Sequence, residues 1–151
     1  MTKEVIQLWQ LEAPAELVWQ CLTDPAMLAE WLMPNDLKAV VGHEFMFHTN
    51  PRPMPPFDGK IFCKVLEVVP GKRISYTWKG GPGDGTITLD TVVTWTLSSK
   101  GTRTDLLLEH KGFKGMKNYL AYFFMNMGWQ KSIRRRLIET LKTHEATHTV
   151  S

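Results

Sequence analysis

Residues 118–142 of the chain read NYLAYFFMNMGWQKSIRRRLIETLK, and the rest of the predicted fold is arranged around this stretch. Its apolar side chains recur at steps of three and four residues, the period of an amphipathic α-helix, for about six or seven turns. No proline interrupts the pattern, and positions off this stripe hold the polar residues Gln130, Lys131, Arg134, Arg135, Glu139 and Lys142. The recurring side chains are Tyr119, Tyr122, Met125, Trp129, Ile133, Leu137 and Leu141. We therefore predict one long helix with one face on solvent and the other on an apolar partner.

The partner is predicted to be a β-sheet, because the period of the chain before this helix changes to two. Short turns such as Pro70-Gly71 join the alternating segments, so the strands are expected to pair antiparallel. The predicted strands are 5–11, 37–41, 43–49, 59–69, 73–79, 86–97 and 104–111, with a bulge near Leu66-Glu67. The sequence thus predicts an α+β protein with a curved sheet of about six or seven strands on a long C-terminal helix.

Two short helices are predicted directly after the first strand. Ala13-Pro14 opens one of them, since proline is favoured in the first turn of a helix. Asp24 is placed to cap the second, with Pro25 at its first position. This order of elements gives one domain, residues 1–143, followed by a flexible tail, residues 144–151.

The composition is that of an ordinary globular chain. The 151 residues are enough for one buried core, 43% of them are hydrophobic, and the net charge of +3 is too small to indicate nucleic-acid binding. Cys21 and Cys63 stand in apolar surroundings, which favours a reducing compartment. With no signal peptide and no membrane span in the sequence, we expect a cytoplasmic protein.

A family resemblance becomes specific at residues 13–31, which read APAELVWQCLTDPAMLAEW. Further matching positions are Val41, Gly42, Phe45, Gly59, the run from Val68 to Arg73, Tyr76, Thr77, Trp78, the run from Gly101 to Thr104, Leu106, Leu108, His110, Phe113, Gly128, Trp129, Leu137 and Leu141. Over about residues 3–143 the chain resembles the START-like, or helix-grip, superfamily. The branch it resembles is the one named after activators of the ATPase of the ninety-kilodalton heat-shock chaperone.

The resemblance implies an incomplete antiparallel sheet that grips the long C-terminal helix, in agreement with the order of elements above. In the wider superfamily the gap between sheet and helix often holds an apolar ligand, such as a lipid, a polyketide or an aromatic compound. A few relatives are cyclases or hydrolases. Family membership therefore predicts the fold more firmly than the function.

A ligand site is predicted in this gap. Aromatic side chains, a few polar groups and an adaptable methionine suit a pocket for a flat or flexible apolar molecule. By strand parity and helix face, the predicted ligand-binding residues are Phe45, Phe47, Cys63, Tyr76, Trp78, Trp95, His110, Tyr122, Met125, Trp129 and Ile133. The alternative is that these side chains simply fill the core.

His110 is the one candidate for catalysis, because it ends a strand whose other inward positions are leucines. It could bind a ligand carbonyl or act as a general base, although no acidic side chain is placed to orient it. The alternative is a histidine satisfied within the fold.

His144 and His148 fit the zinc pattern His-Glu-x-x-His, in which two imidazoles share one face of a helix. The pattern lies close to the C-terminus with no apolar wall and no evident third ligand, so we regard the pair as a weak metal candidate. We predict no cofactor and no obligate metal.

Three functions follow from the sequence. The first is non-enzymatic binding of a small hydrophobic molecule by a monomer or homodimer. The second is a cochaperone-like interaction module with a chaperone as partner, and the third is a cyclase- or hydrolase-like enzyme that uses His110.

Overall fold

The computed structural model describes residues 2–53 and 57–150, and it confirms the α+β, helix-grip arrangement. Six strands form one sheet, two short helices follow the first strand, and a long helix ends the chain. The elements are β1 Thr2–Leu11, α1 Ala15–Thr23, α2 Pro25–Trp31, β2 Glu44–His48, β3 Lys60–Val69, β4 Arg73–Gly80, β5 Leu89–Lys100, β6 Arg103–Lys114, α3 Gly115–Met127, a π-helical segment Gly128–Ile133 and α4 Arg134–Val150.

The sheet has the strand order β1-β6-β5-β4-β3-β2, and every neighbouring pair is antiparallel. The last strand lies beside the first, so β1 and β2 form the two edges. Buried and exposed residues alternate along β2, β5 and β6, which places their apolar side chains on one inner face. The register of β3 shifts between Val65 and Glu67, which confirms the predicted bulge.

The two short helices are held by specific hydrogen bonds. The carboxylate of Asp24 accepts from the backbone N–H groups of Ala26 and Met27 at 2.9 and 3.2 Å, and Pro25 is the first residue of α2, as predicted. The buried hydroxyl of Thr104 donates to the carbonyl of Ala13 at 2.7 Å. That bond fixes the start of α1 against β6.

The predicted strand at residues 37–41 is wrong. Leu37 is buried, but its N–H group donates to the side-chain oxygen of Asn35 at 3.0 Å, and the carboxylate of Asp36 accepts from the N–H group of Met46 at 2.9 Å. Short polar side chains that bind nearby backbone groups compete with a strand ladder. Val40 and Val41 are both 61% exposed, so the segment forms a loop anchored by one leucine.

The predicted long helix is present, and it is longer than its pattern indicated. It begins at Gly115, directly after β6, and its backbone continues through residue 150. Trp129, Leu137 and Leu141 are buried, while Tyr122, Met125 and Ile133 pack partly buried against the core. The division into a domain of residues 1–143 and a flexible tail stays a prediction.

Sequence reasoning missed the π-helical segment in the middle of this helix. The N–H group of Arg134 bonds the carbonyl of Trp129, five residues earlier, where an α-helix would use a four-residue step. A signal exists in the sequence, because the apolar positions from Met125 to Leu141 follow four consecutive steps of four residues. In a regular α-helix each such step rotates the side chain by about 40°, so the stripe would leave the sheet. The extra residue in the π turn returns the apolar stripe to the side of the helix that faces the sheet.

None of the helices in the described ranges is both long and apolar enough to cross a membrane.

Candidate functional site

Ten of the eleven residues predicted to bind a ligand belong to the hydrophobic core cluster or pack against it, and the eleventh, His110, is a buried polar residue whose ring contacts Trp78, Phe113 and Trp129. Three of them, Tyr122, Met125 and Ile133, lie partly buried on the long helix. The buried members are Phe45, Phe47, Cys63, Tyr76, Trp78, Trp95, His110 and Trp129. The prediction thus identified residues that the fold brings together, and their role as a ligand site stays a proposal.

Five tryptophans form one ring cluster, which we call the indole cluster: Trp9, Trp31, Trp78, Trp95 and Trp129. The centroid of the Trp95 ring lies 5.5 Å from that of Trp9, 5.7 Å from that of Trp31 and 5.4 Å from that of Trp129. Tilted and edge-to-face contacts at these distances are the favoured aromatic geometry. In this part of the core, the alternative that the rings fill space is supported.

Most of the indole N–H groups in this cluster are satisfied within the protein. Trp9 donates to the side-chain oxygen of Gln7 and Trp31 to the carbonyl of Cys21, each at 2.9 Å. Trp95 donates to the hydroxyl of Tyr76 at 2.9 Å. Since a buried donor without a partner is costly, these bonds explain how the core tolerates so many indoles.

A second ring group continues the core toward the β2 edge of the sheet. We call it the phenyl group, and it consists of Phe45, Phe47 and Tyr76. The ring of Phe45 lies 5.3 Å from that of Phe47 and 5.2 Å from that of Tyr76. Phe47 also approaches Trp78 to 5.2 Å, which joins the two groups into one aromatic layer.

His110 lies between the sheet and the helix, where both of its ring nitrogens are engaged. The indole N–H of Trp129 can only donate, so Nδ1 of His110 accepts from it, at 3.1 Å. Nε2 therefore carries the proton and donates to the hydroxyl of Thr91 at 2.8 Å. That hydroxyl in turn donates to the carbonyl of Trp78 at 2.8 Å. Every donor in this chain has an acceptor, and the tautomer of His110 follows from the donor character of Trp129.

This arrangement holds His110 neutral. The residue has no exposed surface, and burial lowers the pKa of its imidazole to about 3. A general base needs a free nitrogen within reach of substrate and a pKa near the working pH. His110 offers neither in this conformation, which favours its interpretation as a structural residue.

Thr91 is the partner that sequence reasoning did not assign. The sequence offers no carboxylate placed to orient His110, and the group that the fold supplies is a hydroxyl on the neighbouring strand. The sequence position of Thr91 could have indicated this role, because Thr91 is the polar residue among the inward-facing residues of β5, which continue with Val93 and Trp95.

The two cysteines are free thiols buried in the core. Burial raises the pKa of the Cys21 thiol to about 12, and it raises the pKa of the Cys63 thiol still further. Thiols held in the protonated form are poor nucleophiles and poor metal ligands. Both therefore act as small apolar side chains.

Of the two weak metal candidates, His144 and His148, only the side chain of His144 is described. His144 lies against Glu30 of α2, with Nε2 at 2.9 Å from one carboxylate oxygen, and the side chain of His148 is outside the described part of the chain. Among the described residues, no group of three or more His, Cys, Asp or Glu side chains is placed to hold a metal.

A shallow, open cavity of about 210 Å³ lies outside the predicted gap, between the β1 edge and the π-helical segment. It is lined by Gln7, Leu8, Trp9, Gln130 and Arg134. The Nε atom of Arg134 is buried there without a hydrogen-bond partner among the described residues.

We predict that Thr91→Val destabilises the protein by about 2–4 kcal/mol, because it removes both the acceptor of His110 and the donor to the carbonyl of Trp78. Urea denaturation would measure the loss. Thr96→Val, on the same strand but only partly buried, is the matched control and should change stability by less than about 0.5 kcal/mol. Equal effects of the two substitutions would contradict the proposed hydrogen-bond chain.

We also predict that the free energy of unfolding falls as the pH is lowered, because of the titration of His110. The unfolded chain binds a proton near pH 6.5, whereas the folded protein resists protonation down to about pH 3. The free energy of unfolding therefore keeps its full value above about pH 6.5. Below that pH it falls progressively, by about 2 kcal/mol at pH 5. His110→Gln cannot titrate, so its free energy of unfolding should change less between about pH 7.5 and 5. The same pH dependence in both proteins would rule His110 out as its source.

Comparison with known proteins agrees with this geometry. The family model described as "Activator of Hsp90 ATPase homolog 1-like protein" matches residues 12–142. No curated protein matches the chain. The crystal structure of protein MLL2253 from Mesorhizobium loti is 35% identical, with a TM-score of 0.82, and the match covers 93% of this chain and 98% of that one.

Two further solved structures share the fold. Protein BH1534 from Bacillus halodurans is 27% identical over 93% of this chain and 99% of its own, with a TM-score of 0.72. DynU16, a putative protein in the dynemicin biosynthetic locus, is 21% identical, with a TM-score of 0.74, and the match covers 93% of this chain and 48% of that one. The sequence match and the six-stranded sheet around the long helix lead to one conclusion: the chain belongs to the family of Activator of Hsp90 ATPase homolog 1-like proteins, within the START-like superfamily.

Proposed function

We propose that the protein binds a small hydrophobic molecule, without catalysis, between the sheet and the long helix. The observation that carries this proposal is the uneven cover of the inner face. Among the described residues, the principal contacts of α3 with the sheet are made with β1 and β6, at one edge. The phenyl group lies toward the opposite edge, on β2 and β4, and is nonetheless buried.

Room for a ligand depends on the width of the gap between the helix and the sheet. A helix packed flush on a sheet would bring its backbone close to the central strands as well as to one edge. Here α3 lies over β1 and β6, and Ala121, Tyr122 and Met125 are its partly buried residues that pack against the core. A space walled by aromatic rings, a buried thiol and a flexible methionine has the composition of an apolar ligand site.

Tyr76 supplies the polar group that such a site needs for orientation. Its hydroxyl oxygen accepts from Trp95, and no described residue accepts the hydroxyl hydrogen. Burial raises the pKa of this phenol well above its usual range, so the hydrogen is retained. We infer that it is donated to a carbonyl, hydroxyl or carboxyl oxygen of the ligand. His110 would contact the ligand through its ring alone, since both nitrogens are engaged.

No observation favours the enzyme hypothesis, because His110 is closed off by its own hydrogen bonds. The cochaperone-like hypothesis would become the leading one if the protein proved to carry and bind no small molecule. Native mass spectrometry of freshly purified protein, followed by denaturing extraction, separates these cases. A bound mass of a few hundred daltons is expected.

We predict that Met125→Trp lowers affinity for the ligand at least about tenfold and changes stability little, because the larger side chain occupies the gap. If side chains already filled the gap, the same substitution would overpack the core and cost about 1–3 kcal/mol. Met127→Trp is the matched control, because Met127 lies on the solvent side of the same helix and is 38% exposed. Thermal shift with fatty acids and bicyclic aromatic compounds would measure both effects.

A second variant tests the role of Tyr76. In Tyr76→Phe, affinity for acetylnaphthalene should fall about tenfold relative to that for naphthalene, because only the former accepts a hydrogen bond. The ratio of the two affinities in one variant cancels any general loss of packing. An unchanged ratio would remove Tyr76 from the proposed site.

A further inference from the structure

The solvent face of α3 carries a patch of large apolar side chains. Phe123, Phe124 and Met127 are 50%, 47% and 38% exposed, and their spacing of three and four residues places them together on one side of the helix. We call these three residues the aromatic patch. Ala121, Tyr122 and Met125 pack against the core, so the patch projects outward.

The stretch of sequence that contains this patch is basic, although one of its lysines, Lys111, is paired with Glu4 and Glu109. From residue 110 to residue 138 the sequence contains seven Lys and Arg residues and no Asp or Glu. The rest of the chain holds the other 11 basic residues and all 15 acidic ones, so it is acidic on balance. Lys131, four residues after Met127, and Arg135, four residues further, are both exposed. The aromatic patch therefore adjoins a strongly basic part of the same helix.

We propose that this face of the long helix docks the protein on an anionic lipid bilayer. Exposed rings with neighbouring Lys and Arg side chains are the composition of helices that lie in a membrane interface. The rings enter the boundary between headgroups and acyl chains, and the basic side chains interact with anionic headgroups. The inference concerns the outer side of α3, so it does not depend on the ligand site on its inner side.

The positive charge of this helix face also disfavours a second copy of the chain as its binding partner. A symmetric contact through this face would bring two basic helices together, and like charges at close range oppose association. Two rings and a methionine that protrude from a convex helix would require a matching groove on a protein partner. A fluid bilayer accepts them without one.

Flotation with lipid vesicles tests the proposal on the full chain. We expect binding to vesicles of phosphatidylcholine with phosphatidylserine, weak binding to phosphatidylcholine alone, and release as the salt concentration rises. The double variant Phe123→Ser, Phe124→Ser should lose at least about fivefold in the vesicle-bound fraction. Its matched control is Ile6→Ser, Leu8→Ser, which removes two residues that are 53% and 57% exposed on β1 and should bind as the unmodified protein does.

A second double variant distinguishes the loss of a membrane contact from a defect in folding. Lys131→Glu, Arg135→Glu leaves every ring in place and should also release the protein from anionic vesicles. Absence of binding by the unmodified protein would overturn the proposal, as would undiminished binding by the phenylalanine variant. A loss of dimer mass in that variant, without any vesicle binding by the unmodified protein, would identify a second copy as the occupant and likewise overturn it.

Discussion

A buried directional connection joins the helix to the central strands of the sheet: the hydrogen-bond chain from the indole of Trp129 through His110 and Thr91 to the carbonyl of Trp78. At the β1 edge, the side-chain amide of Gln7 adds a second connection by donating to the backbone and side-chain oxygens of Asn126. Apolar contacts alone let a helix slide or rotate on a sheet, because burial of apolar surface has no preferred direction. A buried chain in which each donor has a single acceptor does not tolerate such shifts, since any displacement leaves polar groups unpaired. The position of the long helix over the sheet therefore depends on these side chains.

The π-helical segment serves the same connection. It contains Trp129, and its extra residue keeps that side chain and the later Leu137 and Leu141 directed at the core. A regular α-helix with the same sequence would rotate one part of the apolar stripe away from the sheet. Irregular turns of this kind often occur at functional sites, and here the turn has a clear structural purpose.

In these proposals the inner and outer sides of α3 have different functions. Its inner side faces an aromatic layer that is tightly packed near the indole cluster and is less closely covered by the helix near the phenyl group. Its outer side exposes the aromatic patch beside a basic stretch. If both proposals hold, one helix forms a wall of the ligand site and also contacts the membrane, so a lipid-like ligand would have a short path between the two.

Local periodicity and turn chemistry were sufficient to predict the helices and the six strands in their order, the cap at Asp24, the bulge in β3 and the residues of the inner face. The loop at residues 37–41 was missed, since side chains of Asn35 and Asp36 took over backbone groups that a strand would have paired. The partner of His110 and the unequal cover of the sheet were decided only by the tertiary structure. Both depend on how elements far apart in sequence are placed against each other, and no local pattern records that placement.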